Sequence, residues 1–167
     1  MIRGQAHGNA IGGFQPSVEP QNFVSGNLKY GIAVMDRAYN NSIFHTAIGR
    51  GASVHLPYPV IPNLAGGVFL GPGTSGTTIG GPTGPLQNVM LLQAVMEDNL
   101  GPGLYINNST QNVVLNNSIT LNAPVGIYAV GVCTGTLIKG NTVQNNPPPN
   151  GTANINISNA TGVTVTP

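Results

Sequence analysis

The chain has 167 residues, about the length of one domain, and only nine formally charged side chains, which leave a net charge of +1. Glycine (24), asparagine (21) and proline (14) fill 59 positions, which favours turns and excludes a helical bundle. The 40% of hydrophobic residues suffices for a core and argues against charge-driven disorder. Because five Lys and Arg residues are spread along the chain, we expect no nucleic-acid partner. No apolar run reaches the ~18 residues of a membrane span.

Short aliphatic segments alternate with Gly and Asn turns from the N-terminus onward. The first covers residues 9–13, and a second, residues 22–27, leads into an anchor motif in which Asn is followed four residues later by Gly and then by an aliphatic residue. The anchor copies are Asn27/Gly31/Ile32, Asn63/Gly67/Val68, Asn99/Gly103/Leu104 and Asn122/Gly126/Ile127, with a weaker Asn150/Asn154/Ile155. Asn is the residue after Gly that best tolerates positive φ, so we expect the backbone to accept it at position 154.

A second pattern lies between the anchors. Residues 112–122 are echoed by residues 136–146, displaced by 24, and residues 41–48 have the same layout with Thr46 in the Asn place. A coil of 23 or 24 residues is what three short strands and three turns require, so the 36-residue spacing of the first anchors indicates one coil plus a loop. Helical repeats of similar length are excluded, because these segments are β-branched and interrupted by Gly or Asn.

Stacking of equivalent positions about 4.8 Å apart predicts two interior columns and a corner row of amides. The first column is Ile32, Val68, Leu104, Ile127 and Ile155, and the second is Ile11, Ile43, Ile79, Val114 and Ile138. The amide row is Asn27, Asn63, Asn99 and Asn122. The predicted fold is all-β: one parallel β-helix domain over residues 1–167, of about five coils of three short strands, with loop insertions. No capping helix is visible at either terminus, so we expect a segment of a larger protein or a subunit that self-associates through its terminal coils.

Several stretches resemble the Asn/Gly-rich repeats of the right-handed parallel β-helix, pectate-lyase-like group, as carried by long secreted bacterial surface proteins. They are Gly8-Asn9-Ala10-Ile11-Gly12-Gly13, Asn22-Phe23-Val24-Ser25-Gly26-Asn27 and Gly31-Ile32, with a second copy around residues 77–81. The resemblance covers residues 8 to about 146 and implies a right-handed coil and an extracellular or cell-surface location. This scaffold hosts lyases, hydrolases and epimerases as well as adhesins and inert spacers, so the resemblance is specific for fold and weak for function.

Enzymes of this scaffold typically use clustered carboxylates with Arg or Lys, and acid–base work on a sugar needs two ionisable groups within about 5–10 Å. The local pairs here are Asp36–Arg37 and Glu97–Asp98, and His45 follows Phe44 in a strand pattern. Both pairs fit solvated turns, so a carbohydrate-active lyase, hydrolase or epimerase using these residues is the alternative interpretation. The histidines lack zinc-site spacing and the carboxylates are too few for calcium, so neither a metal nor a cofactor is expected.

The residue after each anchor aliphatic should face outward, which predicts a row of Phe69, Tyr105 and Tyr128 on consecutive coils. Such an exposed row can bind sugar rings, or it can be favourable same-face stacking along a sheet. The loop of residues 49–66, with its three prolines, should pack back on a sheet or on another chain, and Cys133 should be a small buried hydrophobe. The leading interpretation is a structural module of an extracellular or cell-surface assembly that stacks through its coil ends and contacts polysaccharide along the row.

Overall fold

The computed structural model describes residues 1–12, 22–49, 60–81, 95–97, 99–146 and 154–167. These ranges contain strands and turns and no helix, and hence no helix able to cross a membrane. The strands are β1 (Ala10–Ile11), β2 (Asn22–Val24), β3 (Tyr30–Val34), β4 (Ser42–Ile43), β5 (Thr46–Ile48), β6 (Gly66–Leu70), β7 (Thr78–Gly80), β8 (Val95–Glu97), β9 (Leu104–Asn107), β10 (Val113–Leu115), β11 (Ser118–Thr120), β12 (Ile127–Lys139), β13 (Thr142–Gln144) and β14 (Ile155–Thr166).

The strands form two sheets in which every paired strand runs parallel to its neighbour. One sheet has the order β1-β4-β7-β10-β12-β9-β6-β3, with β14 also paired to β12, and the other has the order β13-β11-β8-β5-β2. Neighbours in each sheet come from successive sequence repeats, so the chain returns to the same place once per repeat. The larger sheet curls around the core, and the predicted all-β, solenoid-like architecture is confirmed at this level.

Both predicted interior columns are confirmed in register. Ile32 pairs with Val68, Val68 with Leu104, and Ile127 with both Leu104 and Ile155. The second column runs through its predicted members in the same way and continues to Val165. The sequence did not reveal a third column, in the smaller sheet, whose members are Val24, Ile48, Met96, Ile119 and Val143. The inner members of these columns are fully buried, each contributing about 1.5–3 kcal/mol.

The predicted corner row of amides is also present, and we call it the asparagine ladder. The side-chain nitrogen of each member donates to the side-chain oxygen of the next, at 2.7 Å from Asn27 to Asn63, 2.9 Å from Asn63 to Asn99 and 2.7 Å from Asn99 to Asn122. The ladder continues to Asn146, and from there to Asn154 at the same 3.2 Å. Position 150, which the repeat pattern assigned to this row, lies outside the described residues.

The anchor glycines are required for space and not for an unusual backbone conformation. A Cβ on Gly67 would lie 2.5 Å from the backbone oxygen of Gly103 and 3.1 Å from the side-chain nitrogen of Asn99 in the next coil. None of the four anchor glycines has a positive φ, so the expectation that Asn154 substitutes for glycine on that ground is wrong. Asn154 accepts backbone bonds from Gly126 and Ile127. Among the described residues, no further coil stacks on Asn154, so a side chain fits at this position where the other coils need glycine.

The strands β12 and β14 are longer than the three- to five-residue strands that the sequence predicted. The 13-residue β12 pairs with β9 through its first part and with β10 through its last part. It bends at Gly131 and Gly135, both with φ of 75°, and its register with β14 shifts twice. Such bulges turn a strand without ending its ladder, so two of the expected short strands merge and join the larger sheet into one.

Replacing Asn63 by alanine should destabilise the fold strongly. Asn63 is fully buried; its side-chain oxygen accepts two bonds from Asn27, and its side-chain nitrogen donates to Asn99 and to the Val24 carbonyl. Loss of these bonds with buried groups left unpaired should lower the free energy of unfolding by about 2–4 kcal/mol, measured by urea denaturation. Asn27→Ala, at the exposed end of the ladder, is the control and should cost about 1 kcal/mol. Equal losses would contradict a cooperative ladder.

Candidate functional site

The outer face of β6, β9 and β12 carries the predicted aromatic residues in one column. Phe69 pairs in register with Tyr105, and Tyr105 pairs with Tyr128, whose partner on β14 is Asn156. The ring centroids of Phe69 and Tyr105 are 5.2 Å apart with the planes tilted by 45°, and those of Tyr105 and Tyr128 are 5.2 Å apart at 20°. The sequence therefore placed these three rings on consecutive coils, although their role in binding is not decided by that placement.

A fourth ring, Tyr30, joins this column and was missed from the sequence. Its ring stacks on Phe69 with centroids 4.7 Å apart and planes 14° from parallel. Tyr30 is the register partner of Gly66, and its ring covers the place where a side chain on Gly66 would stand. The register partner of Phe69 is the small Ala33, which leaves room for the diagonal contact. The sequence signal that could have revealed this ring is that Tyr30 stands three positions before Ala33, which fills the outward position in this coil. We call the four rings the aromatic row.

Described residues line two cavities that border the aromatic row. One, of about 350 Å³, is lined by Tyr30, Pro102, Tyr105, Pro124, Val125, Tyr128 and Asn156. This lining combines apolar rings and prolines with phenol hydroxyls and one amide, and it contains neither a carboxylate nor a cation. The other cavity, of about 460 Å³, lies at the Tyr30 end and includes Arg3, Lys29 and Asp36. Tyr30 lines both cavities, so the neutral cavity extends along the row as far as the ring that borders the charged one.

The rings of the row do not all stack in the same way. Tyr30 stacks on Phe69 at 14° and Tyr105 stacks on Tyr128 at 20°; their centroid separations of 4.7 and 5.2 Å exceed the ~3.5–4.0 Å of carbon–carbon contact, so the rings of these two pairs are offset. Phe69 and Tyr105, in the middle of the row, are tilted by 45° to each other. All four rings are half-buried. The row is therefore an uneven apolar surface made of two stacked pairs, and not a set of separate flat platforms.

The residues proposed for catalysis are dispersed. Asp36 and Arg37 are exposed in the turn after β3, at φ of 56° and 68°. His45 lies in the turn between β4 and β5, is 2% exposed, and neither of its ring nitrogens has a hydrogen-bond partner among the described residues. Glu97 ends β8 in the smaller sheet, and Asp98 lies outside the described residues. Across the described part of the chain, no three His, Cys, Asp or Glu side chains group as metal ligands.

The long loop and Cys133 are the other two features for which the sequence made a prediction. Residues 50–59 of the long loop lie outside the described residues, so its packing stays a prediction; Val60 and Ile61 that follow are exposed. Cys133 is a fully buried free thiol, as predicted, and its sulfur lies 3.4 Å from the carbonyl oxygen of Val130.

Comparison of the chain with known protein families, curated proteins and solved structures found no match in any of the three. The resemblance to the pectate-lyase-like group therefore rests on the repeat pattern alone. The functional interpretation depends on the aromatic row and the surfaces around it.

The aromatic row should delay ionisation of its tyrosines. Burial raises the pKa of both Tyr30 and Tyr105 above the usual value near 10, and the charge of Tyr105 adds to the rise at Tyr30 as that of Tyr128 does at Tyr105. The folded state holds these protons more tightly than the unfolded state. Their contribution to stability is therefore present below pH 10 and is lost as the pH rises through the raised pKa values. Phenolate absorbance should show a late phase in the native protein that is absent in urea and reduced in Tyr105→Phe. Coincident native and denatured titration curves would contradict this.

Proposed function

We propose that the chain is a non-catalytic structural module that holds a neutral polysaccharide along the aromatic row. The single observation that carries this function is a row of four rings, two stacked pairs joined by a tilted contact, beside an uncharged cavity of about 350 Å³. Sugar rings present apolar C–H faces that pack on aromatic rings, and hydroxyl groups that bond to phenols and amides. The cavity offers both kinds of group, with the Tyr128 ring and Pro102 on one hand and the Asn156 amide on the other.

The row favours a polymer over a single sugar. Its rings repeat at intervals of 4.7–5.2 Å along three coil spacings, so equivalent contacts recur along a line. A linear glycan can make the same contact several times, which a monosaccharide cannot. Contacts that are individually weak then add within one ligand, because later contacts form intramolecularly. The uncharged lining of the cavity favours a neutral polymer over an acidic one, since an unpaired carboxylate there would lose hydration without gaining a cation.

We further propose that the curled sheets are the coils of a right-handed parallel β-helix of about five coils. The parallel pairing of all ladders supports this, because crossover connections between parallel strands are right-handed in about 98% of cases. The resemblance to pectate-lyase-like repeats supports it as well. An experimental structure with left-handed coils would contradict it.

The coil ends fit stacking against a further layer. Half-buried apolar side chains pack on the core from both ends: Ile2, Ile11 and Val24 at one end, and Ile155, Ile157 and Val163 at the other. A second copy, or a further coil of the same chain, would cover these side chains and pair the outer strands. A polysaccharide-contacting stack of this kind belongs outside the cell, so an extracellular or cell-surface location is part of the proposal.

Replacing Tyr128 by alanine should weaken glycan retention by about tenfold or more, because the change removes the ring that borders the neutral cavity. Retention is measured by affinity electrophoresis through gels that contain a soluble neutral glucan, a neutral xylan or polygalacturonate. The control is Tyr39→Ala, the same substitution at a ring that stacks on His7 outside the row.

Equal retention of Tyr128→Ala and the unmodified chain would contradict the proposed site. Retention by polygalacturonate alone, or by none of the neutral polymers, would contradict the proposed ligand class. Recovery of shortened or unsaturated products from the gels would contradict a non-catalytic role, and Asp36→Ala would then test the enzymatic alternative.

A further inference from the structure

The cavity at the Tyr30 end of the aromatic row carries charged side chains that the proposed function leaves without a role. It has a volume of about 460 Å³, and we call it the charged cavity. Its apolar wall includes the rings of Tyr30 and Phe69, and its charged side chains are those of Arg3, Lys29 and Asp36. All three charged side chains are exposed. The charged cavity therefore combines aromatic rings with groups that can bind an ion.

A small side chain at one repeat position leaves the space beside these rings. Ala33 lines the charged cavity and is the register partner of Phe69. The next coils carry Tyr105 and Tyr128 at this position. The charged cavity thus continues the aromatic row at the coil where the outward ring is missing. Because Tyr30 lines both cavities, a ligand that lies along the row can reach from one into the other.

Backbone hydrogen bonds place the two cations near opposite ends of β3. At one end, the N–H of Ile2 donates to the Ala33 carbonyl at 2.7 Å, so Arg3, the following residue, stands beside the last residues of the strand. At the other end, Lys29 directly precedes the strand, and its carbonyl accepts a bond from the next coil at 3.0 Å. A five-residue strand spans about 16 Å, so the two cations approach the charged cavity from different ends.

The charged side chains are not engaged elsewhere in the described part of the chain. No ion pair and no side-chain hydrogen bond involves Arg3, Lys29 or Asp36 there. Two cations and one carboxylate give these side chains a net charge of +1. Asp36 lies in the turn that follows β3, at the Arg3 end, so the Lys29 end carries a cation without a carboxylate beside it. This balance favours a ligand group with one negative charge.

We propose that the charged cavity binds an acidic sugar residue, a terminal or branching unit of an otherwise neutral polysaccharide. The negative charge is that of a carboxylate or a sulfate ester. The inference rests on the proposed function, because the neutral part of the same polymer lies along the aromatic row. The acidic sugar packs an apolar face on Tyr30 or Phe69 and brings its charged group to Lys29 or Arg3.

The asparagine ladder supplies a further polar group to this cavity. Asn27, the first member of the ladder, is exposed and lines the charged cavity. Its side-chain nitrogen donates to Asn63 at 2.7 Å, while its side-chain oxygen accepts no bond from the described residues. That oxygen is the kind of acceptor that a sugar hydroxyl can bind. The cavity therefore offers contacts for the ring face, the hydroxyl groups and the charge of an acidic sugar.

The acidic units must be sparse. A polymer with a charge on every residue would also place anionic groups in the neutral cavity, whose lining holds no cation, and each of them would lose hydration there. The expected ligand is therefore a neutral chain with isolated acidic units.

Binding of three xylo-oligosaccharides of equal length, followed by NMR titration, tests the inference. One is neutral, one carries a single glucuronic acid branch, and one carries a single sulfate ester. At low salt at least one acidic form should bind about fivefold more tightly than the neutral form, and the form that binds more tightly identifies the source of the charge. The preference should disappear in 0.5 M NaCl, because exposed charges are screened.

Charge-neutralising variants should change this preference in opposite directions. Lys29→Gln and Arg3→Gln should reduce it, whereas Asp36→Asn should increase it by removing a repelling carboxylate. Asparagine accepts the φ of 56° at position 36, so this variant should fold. The matched control is Lys139→Gln, the same substitution at an exposed lysine that ends β12 outside the lining of either cavity, which should leave the preference unchanged.

The outcomes separate this inference from the proposed function. Equal binding of the neutral and acidic forms would overturn the inference and leave the proposed function standing. A preference for the acidic forms that Lys29→Gln and Arg3→Gln both retain would also overturn it. Binding of the acidic forms alone, lost in these two variants, would support the charged cavity and overturn the neutral ligand class. Binding of none of the three forms would overturn both.

Discussion

The structure depends on keeping each coil in register with the next, and the asparagine ladder is the interaction that enforces this. Every buried amide in the ladder donates to the side-chain oxygen of the next member, and Asn63, Asn99 and Asn122 also donate to backbone carbonyls. A slip of one residue would leave several of these groups buried and unpaired and would turn the aliphatic columns outward. The columns supply most of the favourable free energy, and the ladder selects the alignment in which they can do so.

The same register organises the outer surface. Because the coils are aligned, any residue type that recurs at one repeat position becomes a line on the outside of the molecule. The aromatic row is one such line, and its rings Phe69, Tyr105 and Tyr128 each follow a residue of an interior column. A chain with nine charged residues therefore organises its outer surface through repeated shape and apolar character instead of charge.

The residues proposed for catalysis follow no such line in the part of the chain that the structure describes. Asp36 and Arg37 are exposed in a turn, while His45 is enclosed at a corner of another part of the coil. In contrast, four aromatic rings and the neutral cavity occupy one continuous face. This difference is the reason for preferring a binding role along that face to chemistry at the charged pairs. The proposed stacking at the coil ends would extend the same module into an assembly.

The sequence by itself determined the repeat, and with it the interior columns, the asparagine ladder and the rings at 69, 105 and 128, because strict spacing converts directly into stacking. Only the tertiary structure decided that Tyr30 completes the aromatic row, since its ring reaches diagonally into space left by Gly66 and Ala33. Only the structure showed that the anchor glycines serve close approach between coils, and that Leu28, Leu64 and Leu100 remain exposed. Spacing fixes which residues are neighbours. Side-chain direction, free volume and solvent contact depend on how the coils bend at their corners, which the spacing does not specify.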